Sequence, residues 1–207
     1  MQTEEVILVN TSDEEIGTME KMKAHEEALL HRAFSVFVFN HKGEMLIHQR
    51  AIEKYHSGGL WTNACCSHPR KGETTEEAAH RRLMEEMGFD CPVSERFSFI
   101  YKAKLDQGLT EYEFDHVFFG SFDGRPQPNP DEVCDWKYVS IRKLKDNIKM
   151  EPEAYTEWFK IAIDKMINKS TLFFCIYHVH SSQSTIMRMI ASQKHFSKMN
   201  KRLRECS

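Results

Sequence analysis

The chain has 207 residues, of which 41% are hydrophobic and 29% are charged. This composition is typical of a globular protein that is long enough to bury one substantial core. The formal net charge of −3 gives no reason to expect a nucleic acid partner, because such partners select strongly basic surfaces. Six unevenly spaced cysteines do not fit the framework of a small secreted disulfide protein.

The N-terminal sequence MQTEEVILVNTSDEEIG is acidic and has neither the basic start nor the long apolar segment of a signal peptide. No run of about 18 apolar residues occurs, so we expect no membrane span. Together with the cysteine usage, these features predict a cytoplasmic protein. The sequence carries no indication of an oligomeric state.

The first predicted elements are strands. Residues 5–10 form a short β-prone segment, and residues 33–40 are a run of aromatic and β-branched side chains. A turn at Gly43 leads into residues 44–50, whose alternation of apolar and polar side chains predicts the second strand of a hairpin.

A helix is predicted over residues 74–87. Its apolar side chains recur at helical spacing, and Gly88 stands where a C-terminal glycine stop is expected. Thr74 or Thr75 is the expected N-cap.

The second half of the chain continues the mixture of strands and helices. Two strands are predicted at residues 96–104 and 112–122, and a third at residues 133–140 after a proline-rich loop. Helices are predicted at residues 141–148 and 152–167. Hairpins with helices set between and after them predict an α+β domain of packed layers.

The character of the sequence changes after about Asn168. Residues 171–180 resemble a strand, and residues 181–207 resemble a basic amphipathic helix. We therefore predict a main domain at 1–167 and a C-terminal extension of unknown role at 168–207. A lineage-specific extension, an altered reading frame and a mobile appendage are all compatible with this tail.

Two adjacent cysteines lie in the segment LWTNACCSHPRKGE, residues 60–73. Neighbouring cysteines rarely reach disulfide geometry, so a bond between Cys65 and Cys66 is not expected. On the helix that follows, Arg82, Glu85 and Glu86 are spaced as surface neighbours. Such carboxylates can bind a divalent cation, but the helix alone favours a solvated face with Arg–Glu pairs.

Residues 67–89 resemble a Nudix box, whose pattern is G-x5-E-x7-R-E-U-x-E-E-x-G-U, where U is a bulky aliphatic residue. The matching positions are Glu73, Arg81, Leu83, Glu85, Glu86 and Gly88. Ser67 replaces the first glycine, Arg82 replaces a glutamate, and Phe89 is a mild change. In Nudix hydrolases the replaced glutamate belongs to the cluster that holds the catalytic metal. A cation there predicts weaker metal capture and a loss of hydrolysis.

Outside the box, the sequence resembles type I isopentenyl-diphosphate delta-isomerase over roughly residues 1–166. The segments HRAFSVFVFN, LIHQRA, LWTNACCSHP, RRLMEEMG and TEYEFDHVF match with collinear spacing. The resemblance implies a Nudix-like mixed sheet layered with helices and a small-molecule diphosphate substrate. It implies interconversion of isopentenyl diphosphate and dimethylallyl diphosphate through a tertiary carbocation, in isoprenoid biosynthesis.

The implied reaction adds a proton to one carbon and removes one from another, so two proton carriers are needed. The resemblance assigns them to Cys66 and Glu113, and a thiol can relay a proton with a pKa set by its surroundings. Cys65 is the competing candidate, and spacing to the His68-Pro69 pair selects Cys66. We expect Cys65 to be a packing residue.

A metal site is expected around Glu111 and Glu113, whose spacing of two places both carboxylates on one face of a strand. The resemblance adds three ligands, His25, His31 and His68. Three imidazoles and two carboxylates suit Mn²⁺ or Zn²⁺, with Mg²⁺ possible. The remaining histidines are expected to be surface or packing residues, and these include His41, His48, His56, His116, His178 and His180.

The resemblance also assigns the substrate contacts. Tyr101 is expected to hydrogen-bond near the catalytic carboxylate, and Trp158 to cover the hydrocarbon end, where its π face can stabilise a cation. The expected diphosphate contacts are Lys21, Arg50, Lys54, Ser67 and Arg82. A Mg²⁺ ion bridging the diphosphate is expected to be held by Glu86 and the backbone carbonyl of Cys66.

Two other functions stay open at this point. One is a Nudix hydrolase of a nucleoside diphosphate derivative, against which Arg82 and the Cys/His/Glu set argue. The other is a binding module that kept the fold without catalysis.

Overall fold

The structure, a computed structural model, describes residues 4–167. The strands of this part are β1 (Glu5–Val9), β2 (Glu15–Glu20), β3 (His31–Phe39), β4 (Glu44–Arg50), β5 (Trp61–Thr62), β6 (Cys65–Ser67), β7 (Val93–Lys104), β8 (Thr110–Ser121) and β9 (Val133–Ser140). The helices are α1 (Lys21–Glu26), α2 (Thr75–Arg82), α3 (Ile141–Met150) and α4 (157–167). A π-helical turn, Leu83–Met87, continues α2, and 3₁₀ turns lie at Asp106–Gly108 and Pro152–Ala154.

The chain groups into two units, of which the first ends at Ile161 and the second begins at Ala162. The described part of the second unit is the C-terminal part of α4. The strand and helix predicted at 171–180 and 181–207 lie outside the described residues, and the domain boundary at residue 167 stays a prediction. No helix among residues 4–167 has the length and apolar character needed to cross a bilayer.

The sheet is built around β3. Along one edge, β3 pairs in parallel with β8 from His31 opposite Glu113 to Phe39 opposite Ser121. The other edge of β3 is shared by β1, β6 and β4, which are all antiparallel to it. The sheet is completed by β2 on β1, β5 and β9 on β4, and β7 on β8. The mixed sheet and its helices confirm the predicted α+β class.

The core lies where α2 and the π turn pack against the sheet. Ala78 and Leu83 from the helical side meet Phe34, Val36 and Phe118 from β3 and β8 in one buried cluster. Because β3 is buried along nearly its whole length, it needs apolar side chains on both faces, and its aromatic and β-branched run supplies them.

The helix that carries the box begins and ends as predicted. Thr74 is the N-cap and forms a capping box with Glu77. Gly88 ends the π turn with φ +67°, a left-handed conformation that favours glycine. The sequence did not predict that Leu83–Met87 would be π-helical rather than α-helical.

The helix predicted from residue 152 is wrong in its first part. Tyr155 is extended, and its segment bridges Trp61, with the Thr156 amide donating to the Trp61 carbonyl at 3.0 Å. The 3₁₀ turn at Pro152–Ala154 is therefore separate from the α-helix, which begins only at residue 157. This backbone pairing overrides the helical pattern of the sequence. The short elements β2, α1, β5 and β6 were also not predicted.

We expect Leu83→Ala to lower the free energy of unfolding by about 2–5 kcal/mol, because it leaves a cavity in a fully buried cluster. The neighbouring Met84 is 53% exposed, so Met84→Ala is the matched control and should change the free energy by less than about 0.5 kcal/mol. Denaturant unfolding followed by circular dichroism measures both values. Equal losses in the two variants would contradict this packing of the π turn.

Candidate active site

One pocket is lined by every predicted site residue except His31. His31 is fully buried and lies directly beside two pocket residues, His68 and Glu113. The pocket therefore brings together side chains from α1, β4, β6, β7, β8, the π turn and α4, all within the first unit.

Four of the five predicted ligands of the histidine–glutamate site form a compact cluster. One potential ligand atom from each of His25, His31, His68 and Glu113 lies within 4.8 Å of the others. His31 and Glu113 are direct partners in the parallel pairing of β3 and β8. His68 follows the end of β6, and His25 lies on α1.

Backbone carbonyls orient two of these imidazoles. His25 Nδ1 lies 2.7 Å from the Lys21 carbonyl, and His31 Nδ1 lies 2.8 Å from the Leu29 carbonyl. Since a carbonyl only accepts, each Nδ1 carries the proton and each Nε2 keeps its lone pair. His31 Nε2 lies 3.2 Å from His68 Nε2. Ring nitrogens that converge in this way are suited to a cation between them.

Two histidines of the cluster, His25 and His68, are held neutral. Burial lowers the pKa of His25, and burial lowers the pKa of His68 to about 4. Neutral imidazole is the form that binds a metal ion. The donor set of buried nitrogens with one carboxylate therefore fits a divalent metal.

Glu113 and Glu111 have different protonation states. Although burial favours the neutral acid, the neighbouring His31 and His68 hold the pKa of Glu113 well below its usual range. Burial and then the charge of Glu113 raise the pKa of Glu111 well above its usual range. Glu113 is thus the ionised member of the pair, and Glu111 carries a proton.

Tyr101 lies between these two carboxyl groups. Its hydroxyl oxygen is 2.6 Å from Glu113 and 3.0 Å from Glu111. One hydroxyl proton can serve only one carboxyl at a time, and the shorter of the two contacts is the one in which Tyr101 donates to Glu113. Glu111 lies outside the four-residue cluster, and its predicted role as a direct ligand stays a prediction.

The two adjacent cysteines face different surroundings. Cys65 is fully buried in the hydrophobic cluster, with its thiol 3.6 Å from Glu86. Cys66 lines the pocket, and its sulfur lies 2.8 Å from Asn63 Oδ1 and 3.5 Å from Ser35 Oγ. Both thiols are free, as expected for neighbouring residues.

The thiol of Cys66 is kept protonated. Burial, followed by the neighbouring carboxyl group of Asp115, raises the pKa of Cys66. Ser35 donates to Asp115 at 2.9 Å and so connects that carboxyl group to the cysteine. A buried thiol in this environment holds its proton at neutral pH.

Arg82 forms ion pairs with the carboxylates of the box helix. Its guanidinium lies 2.6 Å from Glu86, 2.8 Å from Glu85 and 3.4 Å from Glu132. Lys54 contacts the other oxygen of Glu132 at 2.5 Å. The cation that replaces the box glutamate therefore neutralises the carboxylates that remain.

Trp158 closes another part of the pocket. Trp158 is 4% exposed, and the Arg50 guanidinium lies 5.2 Å from the ring centroid. His56 meets the same indole edge-on, with 5.7 Å between ring centroids. Like His48, His56 is buried and lines the pocket, and the expectation that both are surface or packing residues stays a prediction.

Several pocket contacts were missed from the sequence. Asp115 continues the alternation of Glu111 and Glu113, so the strand rule that found those two residues also indicates it. Ser35 is the one hydroxyl residue within the apolar run AFSVFVF. Glu132 carried no comparable signal, because its partners Lys54 and Arg82 are distant in the sequence. Asn63 carried none because it lies between β5 and β6, outside any strand pattern.

The comparisons with known proteins identify the family. The NUDIX domain model matches residues 29–159. The chain is 55% identical over 163 residues to isopentenyl-diphosphate Delta-isomerase 2 of Photorhabdus laumondii, covering 79% of this chain and 90% of that protein. It is 49% identical over 169 residues to isopentenyl-diphosphate Delta-isomerase 2 of Aromatoleum aromaticum, covering 82% and 89%. The chain belongs to the isopentenyl-diphosphate Delta-isomerase family.

Membership of the isopentenyl-diphosphate Delta-isomerase family confirms the resemblance carried by TNACCSHP and the altered Nudix box. The fold agrees with that of a crystal structure of a Deinococcus radiodurans protein, with a TM-score of 0.66 at 21% identity, covering 78% of this chain and 98% of that chain. At this identity the likeness concerns the fold alone.

We expect His68→Gln to weaken divalent metal binding by about tenfold or more, because it removes one converging nitrogen from the cluster. Titration with Mn²⁺, followed by electron paramagnetic resonance of the free ion, measures the affinity without turnover. His116→Gln is the matched control, since His116 contacts Asp13 and Glu95 instead. Unchanged binding in His68→Gln would contradict a metal site at this cluster.

Proposed function

We propose that the protein interconverts isopentenyl diphosphate and dimethylallyl diphosphate by protonation and deprotonation through a tertiary carbocation, in isoprenoid biosynthesis. The observation that carries the proposal is the meeting of Cys66 and Glu113 in one pocket, although 46 positions of sequence separate them. The names of the curated relatives support the same reaction.

Cys66 and Glu113 are the proposed proton carriers. Migration of the double bond adds a proton to one alkene carbon, forms the tertiary cation, and removes a proton from a different carbon. The Cys66 thiol holds a proton and the Glu113 carboxylate lacks one, so together they can supply one proton and accept another. In the reverse direction the two groups exchange roles.

Two aromatic residues assist these carriers in the proposal. The hydroxyl of Tyr101 donates to Glu113 and orients its carboxylate. The π face of Trp158 stabilises the cation by roughly 1–2 kcal/mol in a desolvated site. Burial of this residue at the pocket wall also keeps water away from the cation.

The cationic side chains of the pocket are proposed to bind the diphosphate. They are Lys21, Arg50, Lys54 and Arg82, and the Ser67 hydroxyl adds a hydrogen-bond donor. Arginine matches phosphate oxygens with two parallel hydrogen bonds, and lysine adds a point charge. Arg82 and Lys54 exchange carboxylate contacts for phosphate contacts when the substrate binds.

Two metal sites belong to the proposal. The histidine–glutamate cluster would hold Mn²⁺, Zn²⁺ or Mg²⁺, and its nitrogen-rich donor set favours the first two ions. A Mg²⁺ ion on the diphosphate would be held by Glu86 and the Cys66 carbonyl. When bound, the two ions supply positive charge that favours ionised Glu113 and neutralises the diphosphate.

The binding partners and the cellular compartment of the reaction are also part of the proposal. The substrate is a small-molecule diphosphate, with no nucleic acid partner, and the reaction takes place in the cytoplasm. The four cysteines of the described part are free, which supports a reducing compartment.

Hydrolysis of a nucleoside diphosphate derivative is the less favoured function. Arg82 stands where the box has a metal-binding glutamate, and its ion pairs with Glu85 and Glu86 compete with a catalytic metal. The relatives that are named as isomerases also argue against hydrolysis.

We expect the protein to convert isopentenyl diphosphate into dimethylallyl diphosphate in the presence of Mg²⁺ and Mn²⁺, without release of phosphate. Isotope-labelled substrate, resolved by chromatography, measures the product, and a colorimetric assay measures phosphate. Phosphate release would instead support the hydrolase, and tight substrate binding without any product would support a binding module.

We expect Cys66→Ala and Glu113→Gln each to lower kcat by about 10²–10⁴-fold or more, because each removes one proton carrier. Circular dichroism should show that both variants remain folded. Cys134→Ala is the matched control, since Cys134 is an exposed free cysteine. A variant with wild-type turnover would refute the assignment of that residue.

A further inference from the structure

A chain of hydrogen bonds connects Trp158 to Cys66 without passing through the substrate space. Trp158 Nε1 donates to Thr62 Oγ1 at 3.0 Å, and the Thr62 hydroxyl donates to Asn63 Oδ1 at 3.0 Å. The Cys66 thiol donates to the same Asn63 oxygen at 2.8 Å. Two neighbouring residues of the β5 segment thus contact both an aromatic wall and a thiol of the pocket.

The donor and acceptor roles in this series of hydrogen bonds are fixed at Thr62. Its oxygen accepts from the Trp158 indole, which is only a donor, and from the Thr156 hydroxyl at 3.2 Å. Both lone pairs are then occupied, and the single hydroxyl proton is left for Asn63. Since Thr62 is 1% exposed, water cannot easily replace any of these partners.

These roles are fixed equally at Asn63. Its amide nitrogen donates to two backbone carbonyls, those of Val36 at 3.1 Å and Cys65 at 2.7 Å. A carbonyl accepts only, so the amide cannot be flipped, and Oδ1 must face Thr62 and Cys66. The side chain is fully buried and has all its hydrogen-bonding groups satisfied.

We propose that Thr62, acting through Asn63, is a positioning residue that holds the Cys66 thiol and the Trp158 indole in one fixed arrangement. The inference rests on the proposed function, in which these two groups carry the proton and cover the cation. The thiol and the indole must both be in place while the short-lived carbocation exists. Small displacements of a reacting group lower reaction rates strongly. Because the same series of hydrogen bonds reaches both groups, it fixes the position of the thiol relative to the indole.

The test compares Thr62→Val, which removes the hydroxyl at nearly constant shape, with Thr62→Ser, which keeps the hydroxyl. We expect Thr62→Val to lower kcat by about 10- to 100-fold, with KM for isopentenyl diphosphate changed by less than about threefold. The KM is preserved because the cations that bind the diphosphate are untouched. Thr62→Ser should restore kcat to within about threefold of the wild type.

Two further readouts need no turnover. The chain has three tryptophans, so the Trp158 indole proton can be assigned in a ¹H–¹⁵N spectrum with Trp158→Phe. In Thr62→Val this resonance should move upfield, as expected for a lost hydrogen bond. The alkylation rate of Cys66 by iodoacetamide, identified with Cys66→Ala, should change several-fold. Both readouts should return to wild-type values in Thr62→Ser.

Thr156→Val is the matched control, because Thr156 is as buried as Thr62 and donates to it, but has no hydrogen bond with Asn63, Cys66 or Trp158. Without Thr156, the Thr62 hydroxyl still donates to the Asn63 oxygen, which only accepts. This control should keep the wild-type kcat. If Thr62→Val does not fold, Thr62→Ala serves the same comparison with less crowding. An unchanged indole resonance and alkylation rate in a folded variant without the hydroxyl would overturn the inference.

The failure of this inference can be told from the failure of the proposed function. A wild-type protein without isomerase activity would refute the proposed function, while the resonance and alkylation results would still decide the coupling. Normal wild-type activity with a fully active Thr62→Val would refute only the positioning role.

Discussion

The parallel pairing of β3 with β8 is the constraint on which the site depends. Its register places His31 opposite Glu113, and the antiparallel pairing of β7 with β8 places Tyr101 opposite the same glutamate. The pairing of β6 with β3 places Cys66 opposite Ser35. A register slip of one residue would turn these side chains to the other face of the sheet. Backbone hydrogen bonds thus determine which chemical groups meet.

The second constraint is the burial of charge. Ionised groups are costly to bury unless a partner compensates them, and the pocket pairs its charges closely. Glu113 contacts two imidazoles and a phenol, while Arg82 contacts Glu86 and Glu132. An incoming diphosphate consequently competes with carboxylates of the protein itself for these cations. The replacement of the box glutamate by Arg82 therefore changes which charged groups pair in the pocket, while the surrounding fold is preserved.

The sequence predicted those parts of the site that local patterns encode. The alternation rule placed Glu111 and Glu113 on one face, and capping signals located both ends of the box helix. The family resemblance supplied the residues that now line one pocket. Long-range pairings had no such signal, because Ser35 and Asp115 are 80 positions apart in the chain. For the same reason, the extended Tyr155 and the three-residue strand β6 were not predicted.

The π turn at Leu83–Met87 has a consequence for how this region can change. A π turn holds about one residue more than an α turn, and each helical residue advances by about 100° around the axis. Removal of one residue there would rotate Gly88 and the chain that follows, whereas many substitutions at the exposed Met84 would leave the path of the backbone intact. Homologues should therefore tolerate substitutions at the exposed position 84 far better than insertions or deletions in this turn, since the number of residues sets the direction in which the following chain leaves.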